Sequence, residues 1–374
     1  MTFSADEPLL LTPGPLTTSA AVKQAMLRDW GSRDRTFIAL NADVLGRLAS
    51  LAGDPGDLVA VPMQGSGSFA VEAMLGTFVP PDGKVLVCIN GAYGERMAQM
   101  VRRHGRGVVE LAQSEDQPTD VAMLDRMLAA DPFIGHVAVV HCETTSGILN
   151  PLAEVADTVA RHGRRLLIDA MSAFGALPLD ARQIRFDAVA ASSNKCLQGV
   201  PGMGFVIARR SALAATEGRA PAVCLDLFAQ EAAMRGNGQW RFTPPTHVLA
   251  ALHQALLEHE AEGGVEARGR RYRENCRILV SGMRAQGFET LLPDALQAPI
   301  IVTFKLPPDP SFSFERFYEA LRIRGFAIYP GKLTVAPSFR IGCIGALGPS
   351  EMQAAVEAVA DVVREMGWLR PAAA

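Results

Sequence analysis

Between residues 68 and 210, short apolar runs alternate with stretches of helical periodicity, and that alternation restricts the fold more than any other feature. KVLVCIN (84–90), HVAVVHCET (136–144), RRLLIDA (164–170), FDAVAASS (186–193) and GFVIARR (204–210) are strand-length runs rich in apolar residues. SFAVEAMLGTFV (68–79), ERMAQMVRRHG (95–105) and PLAEVADTVARHG (151–163) carry apolar residues at helical spacing, and the last two stop on a glycine. A strand apolar on both sides cannot face water on either. The pattern therefore predicts an α/β fold whose mostly parallel sheet is covered by helices on both faces.

The character changes near residue 246. A long polar-faced helical stretch (246–287) is interrupted by the glycine pair at 263–264. After it come PIIVTFK (299–305), a helix over 313–325, strands at FAIYP and SFRIGCI, and a last helix over 349–367. These imply a smaller α/β domain with its own sheet. The expected division is an N-terminal arm, 1–20, joined to the small domain, a large domain over 21–260, and the small domain over 261–374.

Composition excludes several classes of partner. Of 374 residues, 36 are basic and 39 acidic, which leaves no broad positive field for nucleic acid or a membrane surface. No apolar run approaches the ~18 residues of a membrane span. The first residues, MTFSADEPLLLTPGP, lack the basic start of a secretory signal. Six cysteines (88, 142, 196, 224, 276 and 343) are scattered without a C-x-x-C pair or metal spacing, so they are expected to be reduced and mostly buried, in a cytoplasmic protein with no bound metal.

Ligands of open α/β sheets bind at the carboxyl ends of the strands, so the polar residues at those tips are the candidates. Only five of the basic residues are lysines: Lys23, Lys84, Lys195, Lys305 and Lys332. Four read as surface charges. Lys195 follows an apolar strand, where desolvation would lower its pKa toward the range that imine chemistry needs; a lysine merely capping a strand is the plainer alternative. Asp169 ends the neighbouring run RRLLID. It serves either as a cap for the following turn or as the partner of a protonated ring nitrogen, the role pyridoxal phosphate asks of an aspartate. Glu143, Thr144 and Thr145 follow another strand. Ser66, Gly67 and Ser68 precede a helix, as an anion site or simply as its N-cap. Tyr93 stacks on a flat ring or packs ordinarily. Arg340 lies on an apolar strand and needs a partner, such as a carboxylate held by two N–H groups. Arg33 and Arg35 flank Asp34 in a basic cluster that also reads as a solvated loop.

Taken together, these segments resemble the class V (fold type I) pyridoxal-phosphate aminotransferases, and among them the branch that acts on 2-aminoethylphosphonate and pyruvate. The carriers are LLLTPGPLTTS (9–19), QGSGSFAVEA (64–73), NGAYGERM (90–97), HCETTSGILNP (141–151), IDAMSAFGALPLD (168–180), SSNKCLQGVPGMGFVIAR (192–209), WRFTPPTH (240–247) and PSFRIGCIG (337–345). The resemblance implies that Lys195 carries the cofactor covalently and Asp169 pairs with its ring nitrogen. It implies that Tyr93 stacks on the ring, that Thr145, with Thr144 beside it, approaches the ring oxygen, and that Asn194 borders the cofactor. Ser66, Gly67 and Ser68 would hold the phosphate, helped by Thr243 from the second subunit of a homodimer. Arg340 would bind the carboxylate of pyruvate or alanine, and Arg33 the substrate. The expected products are phosphonoacetaldehyde and L-alanine. DWGSRDRTFIALN (29–41) departs from the tryptophan-then-acidic pattern of many relatives, which leaves alanine–glyoxylate or serine–pyruvate transamination as the alternative. Cys142 and Cys196 keep a lyase or desulfurase reading open.

Overall fold

The computed structural model describes residues 6–331 and 336–368; Lys332 lies outside them. The chain begins with β1 (Leu9–Leu10), α1 (Ala20–Gln24), a 3-10 turn over Ala25–Leu27 and α2 (Arg35–Ala52). There follow β2 (Leu58–Gln64), α3 (Gly67–Phe78), β3 (Lys84–Ile89), α4 (Ala92–Arg103), β4 (Gly107–Ala112) and α5 (Val121–Ala130). Next are β5 (Ile134–Val140), the short pair β6 (Cys142–Glu143) and β7 (Ile148–Leu149), α6 (Leu152–Arg161), β8 (Arg165–Asp169), β9 (Ala188–Ser192) and β10 (Met203–Arg209). α7 (Arg210–Ala214), α8 (Leu227–Asn237), α9 (Thr246–Glu262) and α10 (Gly264–Ala285) lead to β11 (Ile301–Lys305), α11 (Phe314–Ile323), β12 (Phe326–Ala327), β13 (Tyr329–Pro330), β14 (Ser338–Gly342) and α12 (Pro349–Glu365).

A seven-stranded sheet in the order β2-β10-β9-β8-β5-β3-β4 forms the centre, parallel except for β10, which runs antiparallel to both neighbours. Alternate residues of one strand serve opposite faces. Leu86, Val137, Val139 and Ile168 enter one core cluster, while Val85, Val87, Ala138, Val140 and Leu167 enter another. The sheet is therefore buried on both sides, as the apolar runs predict. Those runs mark the five inner strands, with HVAVVHCET broken at His141 into β5 and β6. The two edge strands were not apparent from such runs. β4 has only one fully buried residue, Leu111, and β2 contains Pro62. An edge strand tolerates proline because one side of its backbone has no ladder partner.

The glycine pair separates α9 from α10 as expected: Gly263 and Gly264 both adopt left-handed conformations, with φ of 107° and 71°. Beyond it, β11, β14 and β13 form an antiparallel sheet packed by Phe288, Phe304, Phe317 and Phe339. β1 pairs in parallel with β12 through Leu9–Phe326 and Leu10–Ala327. Gly342 N–H also donates to the Leu11 carbonyl at 2.9 Å. The arm is thus fixed to the C-terminal strands, and residues 12–15 are carried toward the tips of β8 and β9.

Candidate active site

Asp169 is the last residue of β8, and Lys195 lies three residues beyond the end of the adjacent parallel strand β9. The loop bearing Lys195 is pinned from several sides. Ser193 Oγ donates to the carbonyls of Val200 and Met203 at 2.5 and 3.1 Å, and Gly199 N–H donates to Ser193 O at 2.8 Å. Gln198, at φ 63°, is the one non-glycine residue with a left-handed backbone among the described residues. Its amide donates to Tyr272 Oη and Gly345 O, both at 2.5 Å, and these bonds hold the strained turn against α10 and the C-terminal segment.

Lys195 Nζ donates to the Pro13 carbonyl at 2.7 Å. Burial lowers its pKa to about 8, against the opposing influence of Cys196 and Asp169. Asp169 moves the other way: burial pushes it up to about 6, although Met171 N–H donates to its Oδ1 at 2.9 Å and Lys195 favours the anion. Both shifts arise from desolvation of the charged form. Oδ2 has no hydrogen-bond partner among the described residues and remains available to a donor.

Glu143, fully buried on β6, lies at the N-terminus of α4. It accepts from Thr145 Oγ1 at 2.5 Å, Thr145 N–H at 3.1 Å, Tyr93 N–H at 3.2 Å and Gly94 N–H at 3.4 Å. Burial raises it to about 7, with these donors opposing. Thr145 Oγ1 in turn accepts from Ala92 N–H at 3.1 Å. A single carboxylate thus fixes both Tyr93 and Thr145 relative to α4.

The turn before α3 fits an anion. Ser66 occupies the N-cap without a side-chain capping bond, and the first N–H groups of a helix have no partner within it. A Cβ at Gly67 would lie 2.2 Å from Met171 Sδ, so glycine lets this turn close on the segment just after Asp169. Ser68 Oγ accepts from Arg96 Nη1 at 3.0 Å, and the Arg96 guanidinium stands 5.0 Å from the Tyr93 ring centre.

Arg340 on β14 is buried. Its Nη1 donates to Thr144 O at 2.8 Å, and Nε and Nη2 reach Pro330 O at 3.3 Å. Burial lowers its pKa, while Tyr93, Tyr329 and Glu143 favour the cation. Asn194 accepts from Ser192 Oγ at 3.0 Å. Arg33 and Thr243, by contrast, are exposed. Arg33 immediately precedes Asp34, the N-cap of α2. Thr243 lines an open groove of about 500 Å³ with Gly65, Phe69, Trp240 and Phe242, next to the Ser66–Ser68 turn.

Three contributors were not given a role by sequence reasoning: Pro13, Glu143 and Arg96. Arg96 had a signal, since it lies three residues after Tyr93 and so shares its helix face. The chemistry expected of a desulfurase finds no support. Burial raises the Cys196 thiol to about 12 and that of Cys142 well above its usual value, so neither is a ready nucleophile.

The model of the class-V aminotransferases matches residues 63–345. The chain belongs to this family. It is 58% identical over 362 residues to a 2-aminoethylphosphonate–pyruvate transaminase of Pseudomonas putida strain W619, covering 97% of this chain and 98% of that protein. Its fold matches pyridoxamine-pyruvate aminotransferase of Mesorhizobium loti with TM-score 0.88 at 25% identity, over 96% and 93% of the two chains. It also matches an alanine–glyoxylate aminotransferase of Nostoc with TM-score 0.89 at 22% identity, over 96% of each. Among the described residues, no helix is long and apolar enough to cross a membrane, and no cluster of metal-ligating side chains is present.

Proposed function

We propose that this aminotransferase moves the amino group of 2-aminoethylphosphonate to pyruvate, giving phosphonoacetaldehyde and L-alanine, with pyridoxal 5'-phosphate as cofactor. The observation that carries the reaction type is the pairing of a desolvated Lys195 with a buried Asp169 on adjoining strand tips. Nearly full-length identity of 58% to the Pseudomonas putida transaminase supports the choice of donor.

The residues fit the cofactor. Ser66, Gly67 and Ser68 offer a phosphate cradle at the α3 N-terminus, and Tyr93 offers a ring held by the backbone bonds of α4. Thr145 borders the same space, and the free Oδ2 of Asp169 suits a protonated ring nitrogen. When bound, pyridoxal phosphate supplies an electron sink for the carbon that gains and loses a proton.

This chain's side chains do the rest. Lys195 Nζ, half neutral near pH 8, takes the proton from the donor's nitrogen-bearing carbon and later returns one. Asp169 keeps its partner nitrogen protonated by remaining an anion. Glu143 takes no proton from substrate; it orders Tyr93 and Thr145. Arg340, already held by Thr144 O and Pro330 O, presents its remaining N–H groups to the carboxylate of pyruvate or alanine.

The functional unit in this reading is a cytoplasmic homodimer acting in phosphonate breakdown, built of a large domain over 21–260 and a small domain over 261–374 with the arm. Thr243 reaches the phosphate cradle of the second subunit, and Arg33 meets the substrate. The test is amino-donor competition. Purified enzyme with pyruvate and an equimolar mixture of 2-aminoethylphosphonate, alanine and serine should consume the phosphonate first. Preferential consumption of serine, or of alanine when glyoxylate replaces pyruvate, would select the alternative substrates.

A further inference from the structure

Arg96 sits on α4 between two residues of the cofactor site. Its Nη1 donates to Ser68 Oγ at 3.0 Å, and its guanidinium lies 5.0 Å from the centre of the Tyr93 ring. Among the described residues most other arginines that reach a side chain pair with a carboxylate, as Arg182 does with Asp180 and Arg284 with Asp294, but no ion pair joins Arg96 to any Asp or Glu. A half-buried guanidinium with no carboxylate partner among the described residues, beside the N-terminus of α3, favours an anion there.

The contact with Ser68 also decides which way a proton points. Arginine has five donors and no acceptor, so Ser68 Oγ must accept in this bond. Its own O–H is then free to donate, and its rotation is restricted. We propose that Arg96 is a positioning residue for the cofactor phosphate, holding Ser68 as a committed donor toward that group while its charge complements the dianion. The proposal rests on the cofactor reading above and deepens it. Arg96 also favours the anionic form of Asp169, which places its field across the same cleft.

The test compares pyridoxal phosphate with pyridoxal, which lacks the phosphate, as ligands of the apo enzyme. Affinities are read by quenching of protein fluorescence and growth of the visible band, alongside thermal melts of each apo form. In Arg96→Met the affinity for pyridoxal phosphate should fall by roughly 10–100-fold, the scale of a lost charge-assisted hydrogen bond. Pyridoxal affinity should stay within about threefold. Arg96→Gln, which keeps a polar side chain, should show the same loss of discrimination and serves if the methionine variant does not fold.

In Ser68→Ala, adding Arg96→Met should cost clearly less than it does alone, because the two residues act through one bond. Equal weakening of both ligands, or full additivity with Ser68→Ala, would overturn the role of Arg96. Wild-type protein that takes up pyridoxal phosphate while Arg96→Met retains the wild-type preference would also overturn it, leaving the cofactor reading intact. Wild-type protein that takes up neither ligand would overturn both.

Discussion

The ammonium of Lys195 donates to the carbonyl of Pro13 at 2.7 Å, so a residue from the N-terminal arm holds the lysine that follows β9 of the central sheet. The next residue makes the approach possible. Gly14 has φ 113°, and a Cβ there would lie 2.6 Å from Lys195 Cδ and 2.7 Å from the Asn194 carbonyl. The arm is itself anchored to the C-terminal strands through β1 and β12. Movement of that layer would therefore be felt at Lys195.

Gly14→Ala should accordingly displace Lys195 rather than merely loosen the arm. The backbone strain alone costs about 1–3 kcal/mol, and the overlap adds to it. We expect a lower melting temperature together with a fall of about 10²-fold in turnover, since small misplacements of a reacting group are costly. Steady-state kinetics beside a denaturation curve would check this; unchanged turnover in a destabilised protein would separate the arm from the chemistry.

Asp169→Asn should abolish turnover yet stabilise the apo protein at alkaline pH. In the folded chain Asp169 titrates near 6, against 3.8 for the usual carboxyl, so the fold favours the protonated form. Stability from this group is complete below about pH 4 and is lost as pH rises through 6. Asparagine pays no ionisation cost, so the variant should gain up to about 3 kcal/mol above pH 6 and nothing near pH 4. Apo-protein urea curves at pH 4.5 and 8 measure the difference; a variant less stable at pH 8 would contradict the sign.

Much of this site was legible because chemistry stands at the ends of recognisable strands. Lys195 and Asp169 follow the runs of β9 and β8, which are apolar because both faces are covered. β4 left no such trace because it is partly solvated, with only Leu111 buried, whereas β2 is largely buried but has its apolar run interrupted by Pro62. Glu143 was visible only as a polar strand-tip residue. Its role depends on α4 arriving from elsewhere in the chain with N–H groups to spare. Pro13 was hidden for a similar reason: a carbonyl carries no sequence signature, and 182 residues separate it from its donor.

Arg340→Lys should divide the two halves of the reaction. It keeps a charge but loses the planar fork already braced by Thr144 O. The KM for pyruvate should rise roughly 10–100-fold, while the rate at which 2-aminoethylphosphonate alone converts the bound cofactor changes little. Stopped-flow absorbance resolves the two halves. Damage confined to the phosphonate half would place Arg340 on the phosphonate instead.

Subunit mixing tests the position of Thr243. Lys195→Ala should be inactive, and Thr243→Ala should bind the cofactor poorly. If Thr243 serves the partner's cradle, mixed dimers contain one site with both defects and one with neither. Activity after mixing should then exceed the mean of the two parents. A strict average would place Thr243 in its own subunit's site or outside it.

The proposed amino donor is tested by the visible spectrum of the purified holoenzyme mixed with 2-aminoethylphosphonate in the absence of pyruvate. Rapid loss of the long-wavelength cofactor band to a band in the near ultraviolet is expected, with its return when pyruvate is added. Bleaching by alanine or serine with none by the phosphonate would contradict the proposed amino donor.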